Sequence, residues 1–320
     1  MDRIIGDCTG GFLTDAQHKV LADLAERYGF IFRPVDFDDD AMLAQCEVIF
    51  GYVKPEHLKA ATSLRWLQVA FAGVESLTNP DLYAHSDVLL TNAAGAYGVS
   101  IAEHLIAMLL MLLRGLPDYV LQQQRSEWNN KTNIRLIYGS NITVVGLGDI
   151  GTEFSRRAHA LGATVTGVRR TKRPIPDFIS RVFTTDRLDD ALPGADAVVL
   201  CLPSTKETQH IIDAHRFTLL KTQALLLNVG RGNAIDQDAL CEALNKGKLG
   251  GAALDVCTPE PLPADHPLWH AKNCIITPHM AGLNALPDTS RRIVDIFAEN
   301  LQRYAMGKPL THVVDIVAGY

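Results

Sequence analysis

A glycine-rich turn set between an apolar run and a helical pattern constrains the fold of this chain most strongly. The six residues GLGDIG occupy positions 146–151, directly after the apolar run NITVV at 141–145 and ahead of a helical pattern over 150–161. A GxGxxG motif binds a dinucleotide when a strand precedes it and a helix follows it. The alternative interpretation is a tight strand-to-helix turn that binds no ligand.

The motif predicts contacts with the pyrophosphate of a dinucleotide. Gly146, Gly148 and Gly151 let the backbone approach that group, whose charge then faces the N-terminus of the helix. Asp149 and Ile150 stand inside the motif. We expect Asp149 to contribute only its backbone N–H, because its carboxylate would repel phosphate.

Short apolar runs alternate with helical patterns along most of the chain, which is typical of βαβ units and parallel sheets. The 320 residues suffice for about two domains. We predict an α/β protein with two Rossmann-like, doubly wound parallel-sheet domains. A cofactor domain of residues 99–285 is expected to be inserted in a substrate domain of residues 1–98 and 286–320, because the C-terminal tail is too short to fold alone.

Two local patterns give further predictions. Ser100 and Glu103 have the spacing of a capping box ahead of the apolar helical pattern that contains 105–113. The run HVVDIV at 312–317 predicts one more strand.

Basic residues follow the strand after the glycine motif, where an NAD site has an acidic residue for the ribose hydroxyls. The run comprises Arg169, Arg170, Thr171, Lys172 and Arg173. Such a run can be a solvated loop, but at this position its cations suit a 2′-phosphate. We therefore favour NADP(H) as the cofactor, with NAD(H) possible because arginine can also stack on adenine.

Three further segments place polar side chains after buried strands, where open α/β sheets have their active sites. They are NVGRGNAID with Arg231, ALDVCTPEPLP with Asp255 and Glu260, and ITPHMAG with His279. Each residue alone could be structural, but their common position after one dinucleotide motif favours a catalytic site.

The series GLGDIG, CLPSTKET, NVGRGNAID, ALDVCTPEPLP, HPLW and ITPHMAG resembles the D-isomer-specific 2-hydroxyacid dehydrogenases over residues 100–282. The resemblance implies that His279 is the general acid that protonates the substrate carbonyl, held by Glu260, which favours the imidazolium. It also implies that Arg231 binds the substrate carboxylate together with the backbone N–H groups of Ala72, Gly73 and Val74.

The same resemblance implies the remaining cofactor contacts. Asp255 would lie near the nicotinamide, and Cys201, Leu202 and Pro203 would lie beside the adenine side of the cofactor. Further expected cofactor contacts are Val229, Gly230, Arg231, His279, Ala281 and Gly282.

We therefore expect an oxidoreductase that transfers a hydride between NAD(P)H and a small 2-oxo acid of the glyoxylate or hydroxypyruvate kind, giving the D-2-hydroxy acid. Two alternatives stay open. One is a dinucleotide-sensing interaction protein of the same fold, and the other is an NAD-linked dehydrogenase of the phosphoglycerate type.

Composition limits the partners and the location. The net charge of −6 argues against nucleic-acid binding, and the apolar stretch at 105–113 is too short to span a membrane. Six cysteines without a CxxC pair are typical of reduced thiols, so we expect a cytoplasmic protein. His266 and His270 are four residues apart, but Pro267 opposes a helix there and we predict no metal site. The apolar helix at 105–113 favours a homodimer.

Overall fold

The computed structural model describes residues 2–130, 132–284 and 286–316. The strands are β1 (Arg3–Cys8), β2 (Phe30–Pro34), β3 (Cys46–Gly51), β4 (Trp66–Val69), β5 (Leu89–Thr91), β6 (Asn141–Val145), β7 (Thr164–Arg169), β8 (Arg181–Thr184), β9 (Ala197–Leu200), β10 (Leu225–Asn228), β11 (Gly251–Leu254) and β12 (Cys274–Ile276). The α-helices are α1 (Asp15–Arg27), α2 (Asp40–Leu43), α3 (Gly98–Arg114), α4 (Leu116–Gln124), α5 (Asp149–Ala160), α6 (Leu188–Ala191), α7 (Ala214–Leu219), α8 (Gln237–Asn245) and α9 (Pro287–Ala305).

The chain divides into two compact units. One comprises Met1–Tyr97 with Leu283–Tyr320, and the other comprises Gly98–Gly282. In the described part of the first unit, five parallel strands lie in the order β2-β1-β3-β4-β5. Phe297 of α9 stacks on Phe50 of β3 with ring centroids 4.1 Å apart and on Trp66 of β4 at 5.4 Å. The C-terminal helix therefore supplies part of the core of this unit.

The second unit contains the glycine-rich turn. Seven parallel strands among its described residues lie in the order β12-β11-β10-β9-β6-β7-β8. The strand order reverses at β6, so the loops after β6 and β9 diverge at the carboxyl edge of the sheet. Such a switch point is where open α/β sheets bind ligands. The predicted fold class, two doubly wound parallel-sheet domains, is confirmed.

The capping box predicted at Ser100 and Glu103 is wrong, because α3 begins at Gly98 and Ser100 lies inside its first turn. The carboxylate of Asp149 lies against Gly98, where a Cβ atom would come within 2.5 Å of Asp149 Oδ1. A carboxylate is favourable at a helix N-terminus, so the start of α3 is set by a residue distant in sequence.

The strand predicted at 312–317 is an isolated antiparallel bridge between Val313 and Thr91. His312 has a φ of 57°, which interrupts the extended backbone just before the bridge. Val317 lies outside the described residues.

No single helix in the described ranges is long and apolar enough to cross a membrane. Helices α3 and α4 reach that length and hydropathy only when they are taken together, and a bend of 69° separates them.

Candidate active site

The glycine-rich turn follows β6 and packs closely on its neighbours. Gly146 has a φ of 100°, and a Cβ atom there would lie 2.4 Å from the carbonyl oxygen of Cys201. A Cβ atom on Gly151 would lie 1.9 Å from the carbonyl oxygen of Gly146. Both positions require glycine for the turn to fit between β6, the loop after β9 and the first turn of α5.

Gly148 is a glycine for a different reason. A Cβ atom at this position would meet nothing within 4 Å, and Gly148 is the N-cap of α5 without a capping side chain. Ile150 lies in the first turn of the same helix. Uncapped N–H groups that face open space suit an anion, so the turn fits the pyrophosphate of a dinucleotide. The carboxylate of Asp149 packs against Gly98 of α3.

Basic side chains surround the end of β7. Arg169 is the last residue of this strand, and its Nη2 donates to the carbonyl oxygens of Arg173 and, at 3.3 Å, of Pro174. Its Nε is buried without a hydrogen-bond partner among the described residues. Arg170 and Thr171 are exposed. A buried donor that lacks an acceptor fits an oxygen-rich ligand group at this position.

The loops after β9 and β10 touch each other at the switch point. Cys201, Leu202 and Pro203 follow β9, and Val229 and Gly230 follow β10. A Cβ atom on Gly230 would lie 2.5 Å from the carbonyl oxygen of Leu202 and 2.7 Å from its nitrogen. The structure therefore brings these two predicted cofactor segments together.

A buried amide holds the turn that carries Arg231. Asn228 Nδ2 donates to the carbonyl oxygen of Arg231 at 2.9 Å, and Asn228 Oδ1 accepts from Gly230 N at 3.0 Å. Arg231 Nη1 donates to the Gly230 carbonyl oxygen at 2.8 Å. The next residue, Gly232, lies so close to Cys257 that a Cβ atom would be 2.1 Å from the Cys257 carbonyl oxygen.

His279 and Glu260 form a hydrogen-bonded pair. His279 Nδ1 donates to Glu260 Oε2 at 2.7 Å, and Glu260 Oε1 accepts from Cys257 N at 3.0 Å. The side chain of His279 is 50% exposed. Since Nδ1 is bound to the carboxylate, Nε2 is the ring nitrogen that can exchange a proton with a ligand. Cys257 thus contacts both the turn after Arg231 and the carboxylate that orients His279.

Asp255 holds the loop that carries His279. Its side chain is only 2% exposed, and its carboxylate accepts from Thr277 Oγ1 at 2.6 Å and from Met280 N and Ala281 N at 3.0 Å each. The Asp255 carbonyl oxygen accepts from His279 N at 2.8 Å. His279 itself has a φ of 50° in the left-handed region. One buried aspartate therefore fixes a strained loop from several sides.

A cavity of about 530 Å³ opens beside His279 and Glu260 in this unit. Polar groups at the cavity include Asp255 and Thr277. Its apolar wall is formed by Cys257, Pro261, Leu262, Trp269, Ile276 and Pro278.

The predicted substrate-binding segment in the first unit follows β4. Ala72, Gly73 and Val74 form a loop anchored by Asn92, whose Nδ2 donates to the carbonyl oxygen of Ala72 at 2.9 Å. Within the described residues, none of the three N–H groups of this loop donates a hydrogen bond. The loop can therefore present backbone donors to an anionic ligand.

Sequence reasoning missed three contributors to the site. Asn228 and Thr277 hold the segments that carry Arg231 and His279, and Trp269 lines the cavity. The signal for Asn228 and Thr277 was their position at or just after the last residue of a buried strand. For Trp269, nothing in the sequence indicates whether the side chain lines a cavity or packs in the core.

The histidines considered for a metal site have another structural explanation. His266 Nδ1 accepts from Leu268 N at 3.2 Å and caps the short 3₁₀ helix Pro267–His270. The residues that the structure describes contain no group of three His, Cys, Asp or Glu arranged to hold a metal ion.

Comparison with known proteins identifies the family. A sequence model of the D-isomer specific 2-hydroxyacid dehydrogenase NAD-binding domain matches residues 106–281. The chain belongs to this family. It is therefore an NAD(P)-dependent oxidoreductase of the D-2-hydroxyacid dehydrogenase type, as the resemblance in the sequence indicated.

Relatives of this dehydrogenase differ in their named substrates. Glyoxylate/hydroxypyruvate reductase A of Photorhabdus laumondii is 30% identical over 83% of the chain and 84% of the relative. The chain spans about half the length of the D-3-phosphoglycerate dehydrogenases that it matches.

Solved structures of the family match nearly the full length of this chain. A family protein from Aeromonas salmonicida has a TM-score of 0.86 and 33% identity, with 99% of this chain and 100% of that chain covered. An NADPH-dependent glyoxylate/hydroxypyruvate reductase from Sinorhizobium meliloti, in complex with NADP and sulfate, has a TM-score of 0.81 and 25% identity. In that comparison, 100% of each chain is covered.

Proposed function

We propose that this dehydrogenase reduces a small 2-oxo acid of the glyoxylate or hydroxypyruvate kind to the D-2-hydroxy acid with NADPH as the preferred cofactor. The observation that carries the proposal is the pair of His279 and Glu260, joined at 2.7 Å beside a cavity. The relatives named glyoxylate/hydroxypyruvate reductases support the substrate class.

His279 acts as the general acid. When bound, the reduced nicotinamide supplies a hydride for the carbonyl carbon of the substrate. His279 Nε2–H delivers the proton to the carbonyl oxygen, while Glu260 keeps Nδ1–H in place and stabilises the charged ring before the transfer. In the oxidation direction, the neutral Nε2 accepts the hydroxyl proton.

Arg231 binds the substrate carboxylate. The guanidinium forms two parallel hydrogen bonds with a carboxylate and places positive charge near the carbonyl oxygen. In the first unit, the N–H groups of Ala72, Gly73 and Val74 are donors available to an anionic ligand. The hydrogen bonds of Asn228 to Gly230 and Arg231 fix the turn that carries Arg231. We therefore propose that Asn228 positions the guanidinium.

The cofactor binds along the carboxyl edge of the second unit. Gly148 and the N-terminus of α5 would hold its pyrophosphate, and Asp255, Val229 and Gly230 would hold its nicotinamide. Cys201, Leu202 and Pro203 would line its adenine side, and Ala281 and Gly282 would complete the contacts. The preference for NADPH rests on the absence of an acidic side chain in the run 169–175 and on the buried Nε of Arg169.

Steady-state oxidation of NADPH and of NADH, run side by side, tests the proposal. The substrates are glyoxylate, hydroxypyruvate, pyruvate and 2-oxoisocaproate. We expect a higher kcat/KM with NADPH on one or two small oxo acids. A preference for NADH would support the proposed reaction but would show that Arg169 and Arg170 belong to a solvated loop and do not bind a 2′-phosphate. No turnover with either cofactor would contradict the proposed activity.

An arginine variant separates the cofactor assignment from the reaction. Arg170→Ala should lower kcat/KM with NADPH about tenfold, because one charge-assisted hydrogen bond to the 2′-phosphate is lost, and leave kcat/KM with NADH unchanged. Lys246→Ala, which removes an exposed cation paired with Glu242 on α8, is the matched control and should change neither value.

We also assign a homodimeric assembly and a cytoplasmic location to the dehydrogenase. Several large apolar side chains on α3 and α4 are exposed in one chain, which supports a second copy as their cover. All six cysteines are free thiols, which suits a reducing compartment.

A further inference from the structure

His104 lies in the second turn of α3, away from the segments that carry Arg231 and Glu260 in the sequence. Its side chain is only 18% exposed, and Nε2 lies 3.1 Å from Thr277 Oγ1. The same Nε2 lies 3.8 Å from Asp255 Oδ1. A polar ring is thus packed against the carboxylate that holds the loop of His279.

The direction of each hydrogen bond follows from the donors present. Thr277 Oγ1 has a single proton, and it donates that proton to Asp255 Oδ1 at 2.6 Å because a carboxylate can only accept. The contact between His104 and Thr277 must therefore run the other way, with Nε2–H of His104 as the donor. This fixes His104 in a form that carries a proton on Nε2.

Thr277 thereby links His104 of α3 to Asp255, which holds the loop that carries His279; this chain of contacts is called the relay below. Asp255 Oδ1 accepts from both Thr277 Oγ1 and Met280 N, and Oδ2 accepts from Ala281 N. If the donor from His104 is removed, the Thr277 hydroxyl keeps its own proton but loses the second contact that holds its rotamer toward the carboxylate. The shortest hydrogen bond of Asp255 is then less well oriented.

We propose that His104 is a positioning residue for the proton transfer at His279. From α3 it orients the Thr277 hydroxyl, which orients Asp255, which in turn holds the backbone of residues 279–281 in the conformation that presents the ring of His279. The proposal rests on the general-acid role assigned to His279 under the proposed function.

Packing alone does not account for a histidine at this position. The neighbouring buried positions on α3 are apolar, namely Ile101, Ala102, Leu105, Met108 and Leu109. A leucine at this position would pack on the same helix face without the free-energy cost of burying a polar ring. The hydrogen bond to Thr277 and the carboxylate at 3.8 Å give the ring a specific task.

A double-mutant cycle tests the relay. His104→Leu should lower kcat about tenfold, because a small displacement of a catalytic group costs up to about 100-fold, and should change the KM for the cofactor much less than it changes kcat. His104→Gln keeps an N–H donor and should recover most of the loss. In a Thr277→Val background, His104→Leu should cause no further fall in kcat, since the relay is already broken.

The matched control is His159→Leu, which replaces an exposed histidine on α5 and should leave kcat unchanged. The melting temperature of each variant separates lost positioning from lost folding. The proposal would be overturned if His104→Leu lowered kcat by the same factor in the Thr277→Val background as in the wild type. Equal kcat values for His104→Leu and His104→Gln would overturn it too.

Amide hydrogen exchange gives a readout that does not depend on turnover. We expect faster exchange at Met280 and Ala281 in His104→Leu than in the wild type, because their acceptor is less well held. Equal exchange rates would refute the relay. If His279→Ala keeps full activity, the proposed function fails; if His279→Ala is inactive while His104→Leu matches the wild type, only the present inference fails.

Discussion

Asp255 shows how much of the site depends on one side chain. Its carboxylate and its carbonyl oxygen accept four hydrogen bonds from residues 277–281, and three of these come from backbone N–H groups. A loop with a left-handed residue at its centre needs such restraints, because the conformation of His279 is intrinsically unfavourable. The aspartate thus has a structural task in addition to its proposed position near the nicotinamide.

Replacement of that carboxylate by an amide should be costly. In Asp255→Asn, one oxygen becomes an NH₂ group that faces a donor, so we expect a loss of about 1–3 kcal/mol in the free energy of unfolding. We also expect a fall of about 100-fold in kcat. Chemical denaturation and steady-state kinetics measure the two effects.

Asp236→Asn is the matched control, because Asp236 caps α8 through Ala239 N and asparagine caps equally well. We expect the control to keep the stability and the kcat of the wild type. An Asp255→Asn enzyme that also kept both would show that the loop does not depend on this carboxylate.

We predict that the cysteines near the site are unreactive as nucleophiles. Burial raises the pKa of the Cys201 thiol to about 12, and burial, with the nearby carboxylates of Glu260 and Asp255, raises the pKa of Cys257 to about 11. A raised pKa keeps both thiols protonated below pH 9, and the thiolate is the reactive form.

Treatment of the folded dehydrogenase with iodoacetamide at pH 8 should therefore leave kcat unchanged. Mass spectrometry should show Cys201 and Cys257 unmodified in the folded protein and alkylated after denaturation. Rapid loss of activity in step with modification of either cysteine would contradict the assignment.

At the scale of elements, the sequence pattern predicted the parallel strands and the glycine turn well. These features follow from local signals: apolar runs of strand length, and glycines where the backbone must pack closely. The start of α3 was mispredicted because the carboxylate at its N-terminus belongs to Asp149, which is distant in sequence. Likewise, His104 and Thr277 are 173 residues apart, so no local pattern could pair them.

Two glycines of the turn should respond differently to alanine. In Gly148→Ala the new methyl group meets no protein atom, so the melting temperature should stay unchanged while cofactor affinity falls about tenfold or more through contact with the pyrophosphate. In Gly151→Ala the methyl group would lie 1.9 Å from the carbonyl oxygen of Gly146, so the fold itself should be destabilised.

Thermal unfolding and NADPH titration by fluorescence distinguish the two variants. If Gly148→Ala bound NADPH as tightly as the wild type, the pyrophosphate would not lie at this turn.

At the scale of the whole molecule, the two sheets have related strand orders, and each matches a doubly wound pattern. Sequence periodicity was sufficient for this architecture, because strands buried on both faces appear as apolar runs. It was not sufficient to identify the substrate, since the proposed mechanism uses the same Arg231 and His279 for any 2-oxo acid. The cavity beside His279 depends on Trp269 and Leu262, whose placement only the structure shows.

The exposed apolar side chains of α3 and α4 predict a dimer. Leu110, Leu116, Val120 and Leu121 are 38–53% exposed in one chain. Charge on this surface should weaken the association, so Val120→Asp should shift the mass in light scattering from dimer to monomer without changing the melting of the secondary structure. Lys19→Asp, on the exposed face of α1, is the control. A wild type that is monomeric at micromolar concentration would contradict the prediction.

We propose that His279 delivers the proton in the reduction of a 2-oxo acid to the D-hydroxy acid. The most direct test compares the wild type with His279→Ala in the reduction of hydroxypyruvate by NADPH, with the configuration of the product and the Kd of NADPH measured in parallel. We expect D-glycerate from the wild type and a kcat lower by about two to four orders of magnitude in the variant, a loss much larger than any change in the Kd for NADPH. Full activity of the variant, or an L-configured product, would contradict it.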